Sequence, residues 1–300
     1  RMGVQTIGVE PASNIAKIAE QNCVETINDF FGQSAVKEIL ARKGHADVIT
    51  ATNVFAHVDN IHDLAKNVKA LLKKDGIFVI EVPYLIDMLD KMLFDTIYHE
   101  HLSYFSLTSL NNFFAMSGMA VFDVQKVDSH GGSLRVFVRK KDGKFGIKPS
   151  VPKMLEDEKK YGINDIELYQ KFAKRVYSAK INLVNALKDI KSKNKMIAGY
   201  GAPAKGNTLL NFCNIGTDYI SYIVDDNPLK VGLLTPGMHV PVVNSKHLDE
   251  EQPDYILILA WNFAKEIMDK TKAYAEQGVK FIIPLPELII VGEQLAKRDS

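Results

Sequence analysis

Cysteine is nearly absent: the 300 residues hold two, Cys23 and Cys213. They lie far apart, and neither sits in a metal-type or redox-type pair. Neither a disulfide framework nor a zinc site is therefore indicated among these residues. An excess of either charge is missing too, since 37 basic residues against 36 acidic ones leave a net charge of +1. That balance argues against nucleic acid as a partner. No apolar run reaches membrane-spanning length, so no membrane partner is expected. No signal peptide is read at the start, and a cytoplasmic protein is the expectation. Internal repeats and low-complexity tracts are also lacking.

What is present is the composition of an ordinary globular protein, 46% hydrophobic and 24% charged. The length exceeds what one core usually supports and predicts two domains. The first half alternates strands and helices. A strand is expected over Val4–Val9, then a helix from Ser13, its N-cap, to about Gln21. A short strand is expected over Val24–Ile27 and a helix through Val36, Ile39 and Leu40. Ala46–Thr52 reads as a buried strand. A helical stripe of Leu64, Val68, Leu71 and Leu72 stops at Lys73-Lys74-Asp75-Gly76, and Ile77–Val82 is the next strand. Strands separated by helices imply a parallel, doubly wound sheet. Two strands, Ala120–Val127 and Leu134–Val138, flank the turn Ser129-His130-Gly131-Gly132, and an antiparallel hairpin is expected to end the sheet. Lys141–Pro152 suits a linker. One long helix is expected over Ile163–Asn194, with Leu168, Phe172, Val176, Ile181, Val184 and Leu187 on one side. A second Rossmann-like α/β unit follows, with strands at Met196–Tyr200, Tyr219–Val224, Tyr255–Leu259 and Phe281–Ile283. The chain already stands in a strand at its first residues, so an upstream part, with the glycine-rich loop of the first sheet, is expected to precede it.

Several residues could carry chemistry. Glu10 ends its strand where an acid can accept from a ribose diol, although it can equally favour the following helix dipole. Asp29 and Phe30, one βα unit on, offer a carboxylate and an aromatic face that suit an adenine. Asn53 and His57 follow a strand at the edge where open α/β sheets bind ligands. Tyr98-His99-Glu100-His101 is the densest cluster, with apolar and aromatic neighbours able to desolvate it. His99 and His101 would share one face of an extended strand, but no third ligand stands out and no metal is predicted. Gly201-Ala202-Pro203-Ala204-Lys205-Gly206-Asn207 follows a strand and opens a helix, an arrangement that suits a phosphate. With Asp225-Asp226 ending the next strand, the region also reads as a dinucleotide fingerprint, though one with an added proline and no clean third glycine.

Asn53–Val58, Tyr98–Ser106 (Tyr-His-Glu-His-Leu-Ser-Tyr-Phe-Ser), His130–Arg135 (His-Gly-Gly-Ser-Leu-Arg) and Gly199–Asn207 occur in this order in the sugar C-methyltransferases. The chain resembles that family over essentially its whole length. The resemblance implies an S-adenosylmethionine (SAM) dependent enzyme that methylates a carbon, typically carbon 3, of a dTDP-4-keto-deoxysugar, with a nucleotide-diphosphate sugar as its partner. It implies a methyltransferase domain over 1–140, a linker and long helix over 141–194, and a C-terminal Rossmann-like, nucleotide-sugar-binding domain over 195–300. The family's zinc-binding domain would belong to the upstream part. His101 would be the general base, tuned or assisted by Tyr98 and Glu100, with His57 in the same pocket. Glu10, Asp29, Phe30 and Asn53 would hold SAM. Gly201, Lys205, Gly206, Asn207 and Arg135 would hold the substrate. An NAD-dependent oxidoreductase using the glycine-lysine loop is the alternative, and a non-catalytic scaffold a third reading.

Overall fold

The computed structural model describes residues 3–292, which divide into two compact units. The first takes the chain up to Ile86 together with Leu102–Asn164. The second takes Asp87–His101 together with the chain from Asp165 onward. The Tyr98–His101 block, which the sequence groups with the residues around it, thus belongs to the unit that also carries the glycine-lysine loop.

In the first unit β1 (Gly8–Val9), α1 (Ser13–Gln21), β2 (Thr26–Ile27), α2 (Gln33–Lys43), β3 (Ala46–Thr52), α3 (Ile61–Leu71) and β4 (Leu72–Pro83) alternate. The chain leaves through α4 (Leu85–Asp90). It returns for α5 (Leu107–Met116), β5 (Met119–Val127), β6 (Ser133–Lys140) and α6 (Ser150–Tyr161). The strands make two sheets rather than the single one expected. β1 and β2 pair in parallel by themselves, and the other four run in the order β3-β4-β6-β5. β3 and β4 are parallel, while β4-β6-β5 are antiparallel and supply the expected terminal hairpin.

Three expectations change here. The Val4–Val9 strand shortens to Gly8–Val9, because only these residues find a ladder partner, in Thr26 and Ile27. β3 is not a buried strand: its residues are half-buried or exposed, with Val48 54% exposed, because it is paired along one edge only. Ser13 does not cap α1. Ala12 holds that position, and the Ser13 hydroxyl donates instead to Asn28 Oδ1 at 2.8 Å.

The core of this unit is a ring cluster around Phe55, which has no exposed surface and packs against Phe78, Phe105, Phe113 and Phe114. Burying such rings supplies most of the drive for this packing. The expected linker ends early, since α6 starts at Ser150 and buries Val151. Gly162 then takes a left-handed conformation with φ of 84° and stops α6. α6 is thus a helix that the sequence reading leaves out, while the helix expected over Ile163–Asn194 forms as one piece, Ile166–Ser192.

The second unit follows with α7 (Ile166–Ser192), β7 (Ile197–Tyr200), α8 (Ala204–Cys213), β8 (Ile223–Val224), β9 (Val242–Val243), α9 (His247–Glu250), β10 (Tyr255–Ile258), α10 (Ala264–Lys270), α11 (Lys272–Glu276), β11 (Lys280–Ile283) and β12 (Ile289–Val291). Val176, Leu183, Leu187 and Ile190 form the buried stripe of α7. Ile181, expected on that stripe, is 58% exposed because it lies five residues from Val176, off the helical repeat. The sheet order is β12-β11-β10-β7-β8-β9, parallel except for the antiparallel edge strand β12. Its core gathers Ala198, Tyr222, Val224, Ile256, Ile258 and Phe281. No helix among the described residues is long and apolar enough to cross a membrane.

Candidate active site

The chain runs from β7 outward through β8 to β9, then returns to the other side of β7 for β10. The strand order thus reverses between β7 and β10, and open α/β sheets bind ligands at the carboxyl ends of the strands at such a switch point. There the predicted loop, which follows β7, packs against the segment after β10 that holds Trp261 and Asn262. Its glycines serve close packing. Gly201 has φ of +85°, and a Cβ there would lie 2.8 Å from Ala260 Cβ. A Cβ on Gly206 would lie 3.1 Å from Leu259 Cβ, which lets the first turn of α8 sit against the end of β10. Lys205 donates to Asn262 Oδ1 and lies 5.3 Å from the centroid of the Trp261 ring. Burial holds the Lys205 ammonium below its ordinary range, against the pull of Asp95. The Asn207 side-chain oxygen is buried and has no partner among the described residues.

Asp225, the acid of the dinucleotide reading, is already engaged. It accepts from Ala202 N–H at 2.7 Å and Asn227 N–H at 2.8 Å and pairs with Lys230 at 3.2 Å. Burial raises its pKa, and these hydrogen bonds and the lysine more than offset that, so it stays below the usual carboxylate range. Asp226 binds Lys270 at 2.5 Å. Asp225 clamps the loop rather than presenting oxygens to a ribose, which removes the main support for the oxidoreductase alternative.

The Tyr98–His101 block is a tight turn, not an extended strand, closed by His101 N–H donating to Tyr98 O at 2.9 Å. The shared strand face expected for His99 and His101 does not exist. His101 Nδ1 lies 2.7 Å from Thr96 O, and since a carbonyl only accepts, Nδ1 carries the proton. Nε2 then presents its lone pair, and the Tyr98 hydroxyl lies 3.4 Å away on that side. The two rings stack at 4.4 Å, tilted by 32°. Burial first, then the charges of Glu100 and Asp95, pushes the Tyr98 hydroxyl above its ordinary range. His99 and Glu100 are exposed.

In the first unit, Glu10 directs one carboxylate oxygen to Ala12 N–H at 2.8 Å, the helix-start role. Asn28 donates to Glu10 O and Pro11 O and so joins the ends of β1 and β2, which brings Glu10 and Asp29 together. Asp29 accepts from Phe30 N–H, and the Phe30 ring is 76% exposed. Asn53 ends β3 in the other sheet. It has φ of 55°, a left-handed conformation rare outside glycine, and its side-chain oxygen is buried without a partner among the described residues. Such strain concentrates at ligand sites. His57 closes the short turn after Asn53 and is exposed, and the neighbouring Ala56 carbonyl accepts from Leu102 and Ser103 as the chain re-enters this unit. Arg135 is held by Glu81, with contacts of 2.9 and 3.1 Å, and Ser129 donates to the same carboxylate at 2.7 Å.

Glu81, Asp95, Trp261 and Asn262 were not singled out in the sequence. The available signal was an acid inside an otherwise apolar stretch, Ile77–Val82 for Glu81 and Leu93–Ile97 for Asp95. A buried acid needs a partner, so each such acid marks a polar network.

The relatives define the class, a methyl-transferring enzyme. A family described as the C-methyltransferase C-terminal domain matches residues 128–286, and one described as a methyltransferase domain matches residues 1–124. The C-methyltransferase NovU of Streptomyces niveus is 39% identical over 292 residues, 97% of this chain and 70% of that protein. Among solved structures, a SAM-dependent methyltransferase of Thermotoga maritima is 20% identical and covers 45% of this chain and 72% of its own, with a TM-score of 0.37. The magnesium protoporphyrin IX methyltransferase of Synechocystis is 8% identical over 46% of this chain and 65% of its own, with a TM-score of 0.36. The chain belongs to the C-methyltransferase family and is a SAM-dependent C-methyltransferase.

Proposed function

We propose that the enzyme methylates a carbon beside the ketone of a nucleotide-diphosphate sugar, dTDP-linked by the resemblance to the sugar C-methyltransferases, with His101 as the base. The observation that carries this reading is the hydrogen bond from His101 Nδ1 to Thr96 O, which fixes the tautomer and aims the basic nitrogen. A carbon becomes nucleophilic only after losing a proton, and a ketone alongside makes that proton acidic. His101 Nε2 takes the proton, the C–H electron pair moves into an enolate, and Tyr98 donates to the enolate oxygen. Glu100 tunes the Tyr98 hydroxyl through its charge. SAM, when bound, supplies a sulfonium methyl whose bonding pair stays with sulfur.

The residues placed for SAM fit it chemically: Asn53 has an unpaired buried amide oxygen, Glu10 and Asp29 have carboxylates, and Phe30 has an exposed ring. Lys205 and the first N–H groups of α8, at Gly206 and Asn207, suit the diphosphate, with Gly201 allowing close approach. Arg135, which the resemblance assigns to the substrate, is paired with Glu81.

The test separates proton removal from methyl transfer. With the keto-sugar nucleotide in deuterated water and no SAM, the wild type is expected to exchange the proton beside the ketone. His101→Ala is expected to exchange it about 100-fold more slowly, the scale for removing a general base, with nearly unchanged substrate binding. Equal exchange rates would transfer the role to Glu100 or His57.

A further inference from the structure

Asp95 has no exposed surface. Its Oδ2 accepts from Trp261 Nε1 at 2.7 Å, and its Oδ1 has no hydrogen-bond partner among the described residues. The same indole carries Lys205 over its face. One ring therefore holds a carboxylate at its N–H edge and an ammonium on its π face. Burial pushes the Asp95 carboxyl up to about 6, against the Trp261 hydrogen bond and the Lys205 charge. The groups that face Asp95 are Lys205 from α8, Trp261 from the loop after β10, and on its own segment Tyr98, with Glu100 and His101 beyond. Tyr98 feels the Asp95 charge directly, which makes its hydroxyl a poorer donor while Asp95 is ionised.

A carboxylate with one side-chain hydrogen bond and one unpartnered oxygen in a dry setting depends on a nearby cation for its charge. A diphosphate on Lys205 would cancel that support. We propose that Asp95 is a positioning residue coupling the two ends of the site: diphosphate binding at Lys205 makes Asp95 take up a proton from solvent, and the neutral acid leaves Tyr98 a stronger donor to the enolate oxygen. The inference rests on the roles proposed above for Lys205 and Tyr98. It explains why a costly buried acid lies between the lysine loop and the catalytic turn.

The test uses TDP-glucose, whose diphosphate diester is fully ionised and does not titrate near neutral pH, so that any proton uptake belongs to the protein. Its binding to the full chain is followed by calorimetry at about pH 6.5 in buffers of different ionisation enthalpy. The wild type is expected to take up a fraction of a proton per ligand bound. Asp95→Asn is expected to take up none and, at pH 8, to bind roughly threefold or more tighter, because a negative charge near the anion is gone. Tyr98→Phe, acting after Asp95, is expected to keep the uptake. A structural role alone would not tighten binding. Wild-type binding without proton uptake overturns the coupling while leaving the Lys205 site standing. Lys205→Met that binds as tightly as the wild type overturns the diphosphate site, and the coupling with it. If Asp95→Asn fails to fold, the Lys205→Met variant decides: uptake that persists there at saturating ligand overturns the proposal.

Discussion

At Asp95 burial and charge oppose each other, and the balance is measurable in stability. Its carboxyl ionises near 6 in the folded chain, above the ordinary 3.8. The unfolded chain therefore releases this proton first, and the folded state loses stability as pH rises from about 4 through 6. The loss is complete above that window and amounts to roughly 2–3 kcal/mol at most. Asp95→Asn has no such slope. From pH 4.5 to 8, urea denaturation is expected to shift the stability difference toward the variant by up to that amount, and parallel pH profiles would refute the assignment. Lys205 belongs to the same cluster but to ground-state binding. Lys205→Ala is expected to raise KM for the nucleotide sugar by about tenfold or more with a smaller change in kcat, since the diphosphate contact is the same in ground and transition states. A change confined to kcat would point to another role. His101 and Lys205 were legible in the sequence because residue type and setting name their chemistry. Asp95 was not, since an acid in an apolar stretch looks like a misplaced surface residue until Trp261 and Lys205, more than a hundred positions away, are brought to it.

Among the elements, α5 shows how much a distant carboxylate can decide. Ser106 and Ser109 form a capping box at its start. Glu158 on α6, with no exposed surface, accepts from Leu107 N–H at 2.6 Å and from Thr108 N–H at 2.7 Å. Thr108 Oγ1 adds a third bond at 2.6 Å. Glu158→Ala leaves these donors buried and unpaired, and a loss of about 2–4 kcal/mol is expected by chemical denaturation, with Glu158→Gln intermediate. In the sequence Glu158 stands among Glu156, Asp157, Lys159 and Lys160, a run that reads as a solvated helix face. The β7–α8 turn makes a second case. Gly201→Ala places a side chain at φ of +85° and 2.8 Å from Ala260, so the turn must shift. Nucleotide-sugar affinity is expected to fall about tenfold or more while SAM affinity stays unchanged, and equal losses in both would mean general unfolding. The glycine pattern announced this turn. The strand expected over Tyr219–Val224 shortens to β8, and the two-residue β9 has no counterpart in the sequence reading, because so short a run has no periodicity to read.

On the scale of the whole molecule, each unit has its own core, and the chain passes between them at Ile86, at His101 and again at Asn164. The sequence holds one tryptophan, and Trp261 lies in the second unit. Its emission therefore reports that unit alone, whereas far-ultraviolet circular dichroism reports both. Leu187→Ala, at a position with no exposed surface in α7, is expected to cost about 2–4 kcal/mol and to move the fluorescence transition. Glu158→Ala is expected to move the dichroism transition and leave the emission midpoint in place. Coincident shifts of both probes in both variants would show a single cooperative unit.

The sequence by itself determined what is local: the alternation of strands and helices, the hairpin after β4, the glycine turn before α8, and the residue types able to abstract a proton or meet a phosphate. Those follow from side-chain period, backbone freedom and functional-group chemistry within a few residues of one another. Tertiary structure alone decided that β1 and β2 stand apart from the other strands, that Arg135 is committed to Glu81 and Asp225 to its loop, and that Asp87–His101 packs with the second unit. These depend on which backbone edges and buried charges find partners across long separations. The drive to pair them is as strong as any local preference, but the pairing itself is not written into any short stretch of chain.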